Sequence, residues 1–262
     1  VGIAEEHAVT FSGGLAAGGM LPVFAVYSTF LQRSVDQIIH DVATQKLHVI
    51  LAIDRAGIVG EDGETHQGVF DVALLNPIPN VEIYSPCYFE ELRRDLQAAA
   101  YSNSGVVAVR YPKGGELYRP ADFLPGKKTF DFYGGMSAQA LVITYGRLFS
   151  YACIAKEALY KSGVDVTILK LNRIKPVPRE AILESLRFRH IFFFEEGMAA
   201  GGTGEHFMYE LSRRRWNGNY TLTAIDNRYV QHAPADASLH ALHLDDEGMV
   251  HVVLKGIQED IN

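Results

Sequence analysis

Short apolar runs alternate with amphipathic stretches along the first part of the chain. The runs that predict strands are Leu21 to Tyr27, His48 to Ile53, Val81 to Tyr84 and Val106 to Arg110. The stretches with helical spacing are Glu5 to Ala17, Thr29 to Gln45 and Tyr88 to Tyr101. Because strands that alternate with helices form parallel sheets covered by helices, this order predicts an α/β domain.

The same alternation resumes after a stretch rich in glycine, proline and lysine, Lys113 to Lys128, which predicts a linker. The later strands are predicted at Ala140 to Tyr145, Val164 to Leu169, His190 to Phe194 and Tyr220 to Ile225. The later helices are predicted at Ser150 to Lys161, Arg179 to Leu186 and Glu205 to Arg214. We therefore predict two α/β domains with mainly parallel sheets flanked by helices, at residues 1–118 and 136–262, joined by a linker at 119–135.

Composition narrows the possible function classes. The net charge is -7, and no basic run exceeds Arg213 to Arg215, which argues against nucleic-acid binding. No apolar run reaches the ~20 residues that a membrane span needs, so we expect no membrane partner. Cys87 and Cys153 lack both a disulfide framework and metal spacing. This pattern is typical of a cytoplasmic protein, and we expect no metal ligands in this chain.

The segment Asp54 to Gly68, DRAGIVGEDGETHQG, directly follows a predicted buried strand. It combines acids, an arginine, a histidine and glycines, and open α/β sheets bind ligands at the carboxyl ends of their strands. The polar or aromatic residues predicted at that edge are Glu5, Tyr27, Arg55, His66 and Lys113. From the loop alone, a ligand site and a solvated connection are equally supported. The spacing of Asp62 and Glu64 lacks the ligand ladder of a calcium loop.

Four segments, in this order, carry a family resemblance: VGIAEEHAVTFSGGLA, YSTFLQRSVDQIIHDVA, DRAGIVGEDGETHQG and VRYPKG. Together they closely resemble the 1-deoxy-D-xylulose-5-phosphate synthases, thiamine diphosphate enzymes of the transketolase superfamily. The resemblance covers the whole chain and is densest in residues 1–114, while KPVPREAI and EEGMAAGGTGEH resemble the C-terminal domain of that family. It implies a transketolase-like pyrimidine-binding domain, shortened at its start, followed by a transketolase C-terminal domain.

The resemblance implies roles on the cofactor side of the site. Glu5 matches the catalytic glutamate that bonds to N1' of the aminopyrimidine and favours its imino tautomer. Tyr27 and Phe30 match residues that flank the pyrimidine, with Phe30 as the stacking partner. Without the resemblance, Glu5 would be interpreted as a helix-dipole carboxylate and Phe30 as helix core. Glu6 stands where many relatives have glutamine.

On the substrate side, the resemblance assigns phosphate binding to Arg55 and Lys113, and Tyr27 and Arg33 also face the substrate region. It places Asp62 and His66 near the reacting carbons, where a histidine can exchange a hydrogen bond with an aldehyde oxygen. The family usually has arginine at the position of Lys113. Lysine keeps the charge but loses the bidentate fork, so we expect looser phosphate geometry.

The implied reaction condenses pyruvate with glyceraldehyde 3-phosphate, giving 1-deoxy-D-xylulose 5-phosphate and carbon dioxide. The chain has no GDG followed by a downstream asparagine, the pattern that binds magnesium and the cofactor diphosphate in this superfamily. We therefore expect magnesium to be bound mainly by an N-terminal diphosphate-binding domain outside this sequence, the chain alone to be inactive, and the enzyme to be a homodimer. GGTGEH, at Gly201 to His206, is interpreted as helix packing instead of a phosphate cradle.

Two other functions remain open from the sequence. The second hypothesis is a naturally separate subunit, such as the C-terminal half of a split transketolase or the beta subunit of a 2-oxoacid dehydrogenase. YSTFLQR and the histidine of THQG favour the synthase. A non-catalytic assembly module is the third alternative, and retention of Glu5, Arg55, Asp62 and His66 together argues against it.

Overall fold

A computed structural model describes residues 2–102, 105–126 and 129–258. Val1, part of the predicted linker (Lys127 and Lys128) and the last four residues of the predicted second domain lie outside the described residues. Within the described part of the chain, no helix is long and apolar enough to cross a membrane.

The first sheet has four parallel strands, in the spatial order β1, β2, β4, β3. Their bounds are Val23–Tyr27 (β1), Val49–Asp54 (β2), Val81–Tyr84 (β3) and Val106–Arg110 (β4). All five residues of β4 are buried, as the apolar runs of a parallel sheet predict. The flanking helices include Glu5–Ala17 (α1), Asp71–Leu75 (α4) and Phe89–Ala100 (α5).

The helix predicted from Thr29 to Gln45 is present but irregular. It consists of α2 (Ser28–Leu31), a 3-10 turn (Gln32–Ser34), α3 (Val35–Gln37) and a π-helical segment (Ile38–Ala43). Ser34 donates its hydroxyl to the Leu31 carbonyl, and the backbone N–H of Thr44 bonds Ile39 five residues earlier. Apolar periodicity alone does not reveal such changes of helical pitch.

The second sheet has the spatial order β10, β9, β6, β7, β5, and only β5 is antiparallel. Its strands are Phe130–Tyr133 (β5), Ala140–Tyr145 (β6), Val166–Leu171 (β7), His190–Met198 (β9) and Asn219–Ile225 (β10). Its helices are Leu148–Lys161 (α6), Arg179–Ser185 (α7), Thr203–Arg213 (α8), Ala235–Ala241 (α9) and Asp246–Gln258 (α10). Both sheets are thus mainly parallel and flanked by helices, as the sequence predicts.

Two short strands depart from the sequence prediction. Phe130–Tyr133, inside the predicted linker, pairs with β7, and its aromatic side chains are partly buried against the apolar cores. Arg173–Lys175 (β8) follows β7 yet pairs antiparallel with β3 of the first sheet. Since this strand of the predicted second domain completes the first sheet, the boundaries at residues 118 and 136 stay a prediction.

Buried contacts join the two sheets. One apolar core includes Ile83 of β3, Leu169 of β7 and Ile174 of β8. Beside it, Lys170 of β7 donates to Glu91 of α5 at 2.5 Å, and both side chains are fully buried. Because a buried charge is stable only when it is paired, this ion pair fixes the second sheet against the first.

Candidate active site

The predicted site residues meet at the carboxyl edge of the first sheet. In register, Tyr27 at the end of β1 lies beside Asp54 at the end of β2, and Ile53 lies beside Arg110 at the end of β4. The segment after β2 therefore starts between the ends of two neighbouring strands. This placement agrees with the general location of ligand sites in open α/β sheets.

Glu5 is a buried carboxylate with one unused oxygen. It lies in the first turn of α1, where the helix dipole favours a negative charge. Its Oε1 accepts a hydrogen bond of 3.0 Å from Arg33 Nη1. Its Oε2 is buried and has no hydrogen-bond partner among the described residues. Because an unsatisfied buried oxygen is costly, its persistence is typical of a site that a ligand completes.

Three rings lie in a row, and Arg33 links them to Glu5, because its guanidinium carbon lies 5.1 Å from the centroid of the Phe30 ring. Tyr27 and Phe30 stack with their ring centroids 5.6 Å apart and their planes at 22°. The ring of His66 meets Phe30 edge-on at 5.6 Å, and His66 also bonds the Thr65 hydroxyl at 2.9 Å. All three rings keep part of their surface exposed, so an aromatic ligand can pack against them.

Arg55, Asp62 and Lys113 form a second, charged group. Arg55 Nη1 donates to Asp62 Oδ2 at 2.8 Å, and Lys113 Nζ lies 3.4 Å from the same oxygen. The guanidinium carbon of Arg55 lies 4.1 Å from the centroid of the Tyr27 ring, which links the charged group to the aromatic one. Partial burial raises the pKa of Asp62, but the hydrogen bond and charge of Lys113 and the charge of Arg55 lower it by more than that. The pKa of Asp62 is therefore below its usual value.

Backbone geometry shapes the segment that carries these groups. Arg55 adopts a φ of +55°, in the left-handed region that non-glycine residues rarely occupy. Gly57 and Gly68 exchange two backbone hydrogen bonds, of 2.6 and 2.7 Å, which close residues 57–68 into a loop. Inside it, Gln67 accepts a hydrogen bond of 2.8 Å from the Val59 N–H. The loop therefore holds Asp62 and His66 on a constrained backbone.

The structure adds site neighbours that the sequence analysis did not identify. Arg147 and Glu196, both from the second sheet, form an ion pair and bond the backbone of Ile58 inside the loop. Arg147 lies two residues after the end of β6, at the N-cap of α6, and Glu196 lies in the EEG segment of β9. The charges of that segment, unusual at the end of an apolar strand, were the available signal.

The glycine-rich segment at Gly201 to His206 binds a carboxyl group that belongs to the protein itself. The N–H groups of Thr203 and Gly204 both donate to Glu195 at 3.0 Å. A side chain at Gly204 would collide with Leu222 of β10. The segment thus allows close packing of α8, consistent with the interpretation from sequence. Within residues 2–102, 105–126 and 129–258, no group of three acidic, histidine or cysteine side chains is arranged to bind a metal.

Comparisons with known proteins agree with this architecture. A family model for the transketolase pyrimidine-binding domain matches residues 1–117, and one for the transketolase C-terminal domain matches residues 136–249. The chain is 39% identical over 260 residues to the 1-deoxy-D-xylulose-5-phosphate synthase of Clostridium beijerinckii, covering 97% of this chain and 41% of that protein. It is 40% identical over 263 residues to the same enzyme of Bacteroides fragilis, covering 97% of this chain and 40% of that protein.

Among solved structures, a split-gene transketolase described as an inactive beta4 tetramer superposes with a TM-score of 0.83 at 24% identity. The superposition covers 97% of this chain and 82% of that one, and at this identity it shows the fold alone. The chain spans about two fifths of the length of the synthases that it matches. The chain belongs to the transketolase superfamily, and it carries pyrimidine-binding and C-terminal domains similar to those of 1-deoxy-D-xylulose-5-phosphate synthases.

Proposed function

We propose that the chain supplies the pyrimidine side of a thiamine diphosphate site in a synthase of the transketolase superfamily. The reaction we propose condenses pyruvate with glyceraldehyde 3-phosphate to give 1-deoxy-D-xylulose 5-phosphate and carbon dioxide. The observation that carries the proposal is the buried Oε2 of Glu5, which has no hydrogen-bond partner among the described residues and is linked through Arg33 to the stacked Phe30 and Tyr27. A protonated ring nitrogen would satisfy that oxygen, and a flat ring would cover the two aromatic side chains.

The residues present fit this cofactor. Glu5 would hold the aminopyrimidine through a ring nitrogen, and Phe30 and Tyr27 would contact its faces. When bound, the cofactor supplies the electron sink that decarboxylation of a 2-oxoacid requires. Arg33, bonded to the other oxygen of Glu5, keeps the carboxylate oriented. Magnesium and the cofactor diphosphate would be held by a separate diphosphate-binding domain.

The charged group suits a phosphorylated aldehyde. Arg55 and Lys113 both approach Asp62, so two cations lie within reach of one anionic group. We propose that they bind the phosphate of the acceptor, Arg55 through its planar fork and Lys113 as a point charge. Asp62 would orient the acceptor, and His66 would exchange a hydrogen bond with its aldehyde oxygen.

The surface beside Glu5 supports partners for the chain. Large apolar side chains are exposed on and around α1 and β1, at Ile3, Phe11, Met20, Leu21 and Val23. β1 is also an edge of its sheet. Because exposed apolar groups near an open strand edge mark interaction surfaces, we propose that a diphosphate-binding domain and a second copy of the enzyme cover this region. The cytoplasm is the compartment we propose.

Product formation tests this function. The chain is mixed with a separately produced diphosphate-binding domain of a 1-deoxy-D-xylulose-5-phosphate synthase, thiamine diphosphate and magnesium, and carbon dioxide release from pyruvate is followed. The proposal expects release that depends on glyceraldehyde 3-phosphate and on Glu5. If the mixture binds the cofactor but does not use pyruvate, the synthase assignment is wrong.

A subunit of a split transketolase is the second candidate. The observation in its favour is the shared fold, since the chain superposes on a split-gene transketolase with a TM-score of 0.83. The donor separates the two candidates, since only the synthase proposal requires pyruvate to be decarboxylated. Turnover with other donors and none with pyruvate would favour the second candidate.

A further inference from the structure

Arg147 and Glu196 both form hydrogen bonds with the backbone of Ile58, in the loop at residues 57–68. Glu196 Oε1 accepts a hydrogen bond of 2.5 Å from the Ile58 N–H, and Arg147 Nη2 donates one of 2.7 Å to the Ile58 carbonyl. The two side chains are also bonded to each other, with Arg147 Nε 2.9 Å from Glu196 Oε2. An ion pair thus binds both polar groups of a single loop residue.

This contact is buried and closely fitted. The side chains of Arg147 and Glu196 are 12% and 6% exposed. Gly57, at a φ of +85°, packs against the Glu196 carboxylate so tightly that a Cβ would overlap it. Gly60, at a φ of +75°, packs in the same way against the backbone of Ala235. Only glycine combines this backbone conformation with such close approach.

Ile58 lies between the residues that we propose to bind substrate. Ile58 is three residues after Arg55 and four residues before Asp62, and the Gly57–Gly68 bridge lies directly beside it. A shift of Ile58 would therefore change the distance between Arg55 and Asp62, which are now 2.8 Å apart. Misplacement of a binding group by about 1 Å can cost a large part of its effect.

We propose that Arg147 and Glu196, both in the transketolase C-terminal domain, are positioning residues that set the geometry of the segment at 54–68, which carries Arg55, Asp62 and His66. This role rests on the proposed function for its catalytic meaning. Charge is needed because an ion pair resists separation in a buried place more strongly than neutral groups do. The C-terminal domain then contributes to substrate recognition through these two residues, without contacting the substrate.

Amide hydrogen exchange on the 262-residue chain tests whether Arg147 and Glu196 hold the loop in place, and it needs neither cofactor nor substrate. Glu196→Gln keeps the size of the side chain but removes the ion pair, and Arg147→Lys keeps the charge but loses the fork. Each is expected to speed amide exchange in residues 57–68 by about tenfold or more, while strands β2 and β9 stay protected. The matched control is Glu195→Gln, a buried carboxylate one residue away that bonds α8 instead of the loop.

The second measurement is made on the assembled enzyme. Glu196→Gln and Arg147→Lys should raise KM for glyceraldehyde 3-phosphate about tenfold, with a smaller fall in kcat, because the displaced segment carries the proposed phosphate-binding Arg55 as well as Asp62 and His66. Loop exchange in Glu196→Gln that stays within about twofold of Glu195→Gln would overturn the positioning role. A loosened loop with unchanged KM would also overturn it. A further outcome is that Arg55→Ala leaves phosphate recognition unchanged although Glu196→Gln and Arg147→Lys loosen the loop. That result would contradict the proposed function, but it would support the role of Arg147 and Glu196 in holding the loop.

Discussion

Arg33 donates a hydrogen bond of 3.0 Å to one oxygen of Glu5, and the other oxygen of that carboxylate is buried with no partner among the described residues. The two oxygens of Glu5 therefore have different environments. One is fixed by a cation, and the other is available to a ligand that can donate a hydrogen bond. The proposed cofactor contact depends on this difference.

Replacing Glu5 by alanine should lower kcat of the assembled enzyme by about 100-fold or more, because positioned acid–base groups contribute on that scale. Glu6→Gln is the matched control, since Glu6 is the next residue but is exposed. It should keep most of the activity. Steady-state rates of carbon dioxide release give the comparison, and near-normal turnover of Glu5→Ala would remove Glu5 from the mechanism.

Arg55→Ala should weaken the use of glyceraldehyde 3-phosphate far more than that of unphosphorylated glyceraldehyde, because only the former loses a charge-assisted hydrogen bond. We expect a change in the ratio of the two kcat/KM values of about tenfold or more. Lys113→Arg should lower KM for the phosphorylated aldehyde, since it restores a bidentate fork. Equal losses for both aldehydes in Arg55→Ala would refute phosphate binding by this residue.

The stability of the chain should depend on Glu195. Burial raises the pKa of Glu195 from 4.5 to about 7, against the opposing hydrogen bonds from Gly204, Tyr145 and Thr203. The folded state therefore binds this proton more tightly than the unfolded state. Its contribution is fully present below pH 4.5 and is lost as the pH rises through 7.

Glu195→Gln should accordingly flatten the fall in unfolding free energy between pH 4.5 and 7, by on the order of 3 kcal/mol relative to wild type. Denaturant unfolding at several pH values gives this difference directly. Glu6→Gln changes an exposed side chain of α1, so it should leave the pH dependence of the unfolding free energy as it is in wild type. Identical slopes for wild type and Glu195→Gln would show that the carboxyl titrates normally in the folded chain.

Much of the fold was predictable because apolar runs of parallel strands are local signals. Helix α1 and strands β3, β4 and β6 have the bounds that periodicity predicts. The edge strand β8 was not predictable, since its three residues are held in place by β3, about ninety positions earlier in the chain. Short helices such as α4 also lack the length that periodicity needs.

The site divides in the same way. Tyr27, Arg55 and Lys113 could be placed at one sheet edge because Tyr27 ends a predicted strand and the other two follow predicted strands of the same sheet. The hydrogen bonds of Glu196 and Arg147 to Ile58 could not be predicted from the sequence, because they join residues more than eighty positions apart. The roles of Glu5, Tyr27, Phe30, Asp62 and His66 toward ligands stay predictions.

Calorimetry with thiamine diphosphate and magnesium tests the central claim most directly. The chain alone is titrated first, and the titration is repeated after addition of a separately produced diphosphate-binding domain of a 1-deoxy-D-xylulose-5-phosphate synthase. We predict weak binding by the chain alone and tight, magnesium-dependent binding by the mixture, because the added domain would supply the partners of the diphosphate. Glu5→Ala should weaken binding by the mixture. Tight, magnesium-dependent binding by the lone chain, or binding by the mixture that ignores Glu5, would contradict this claim.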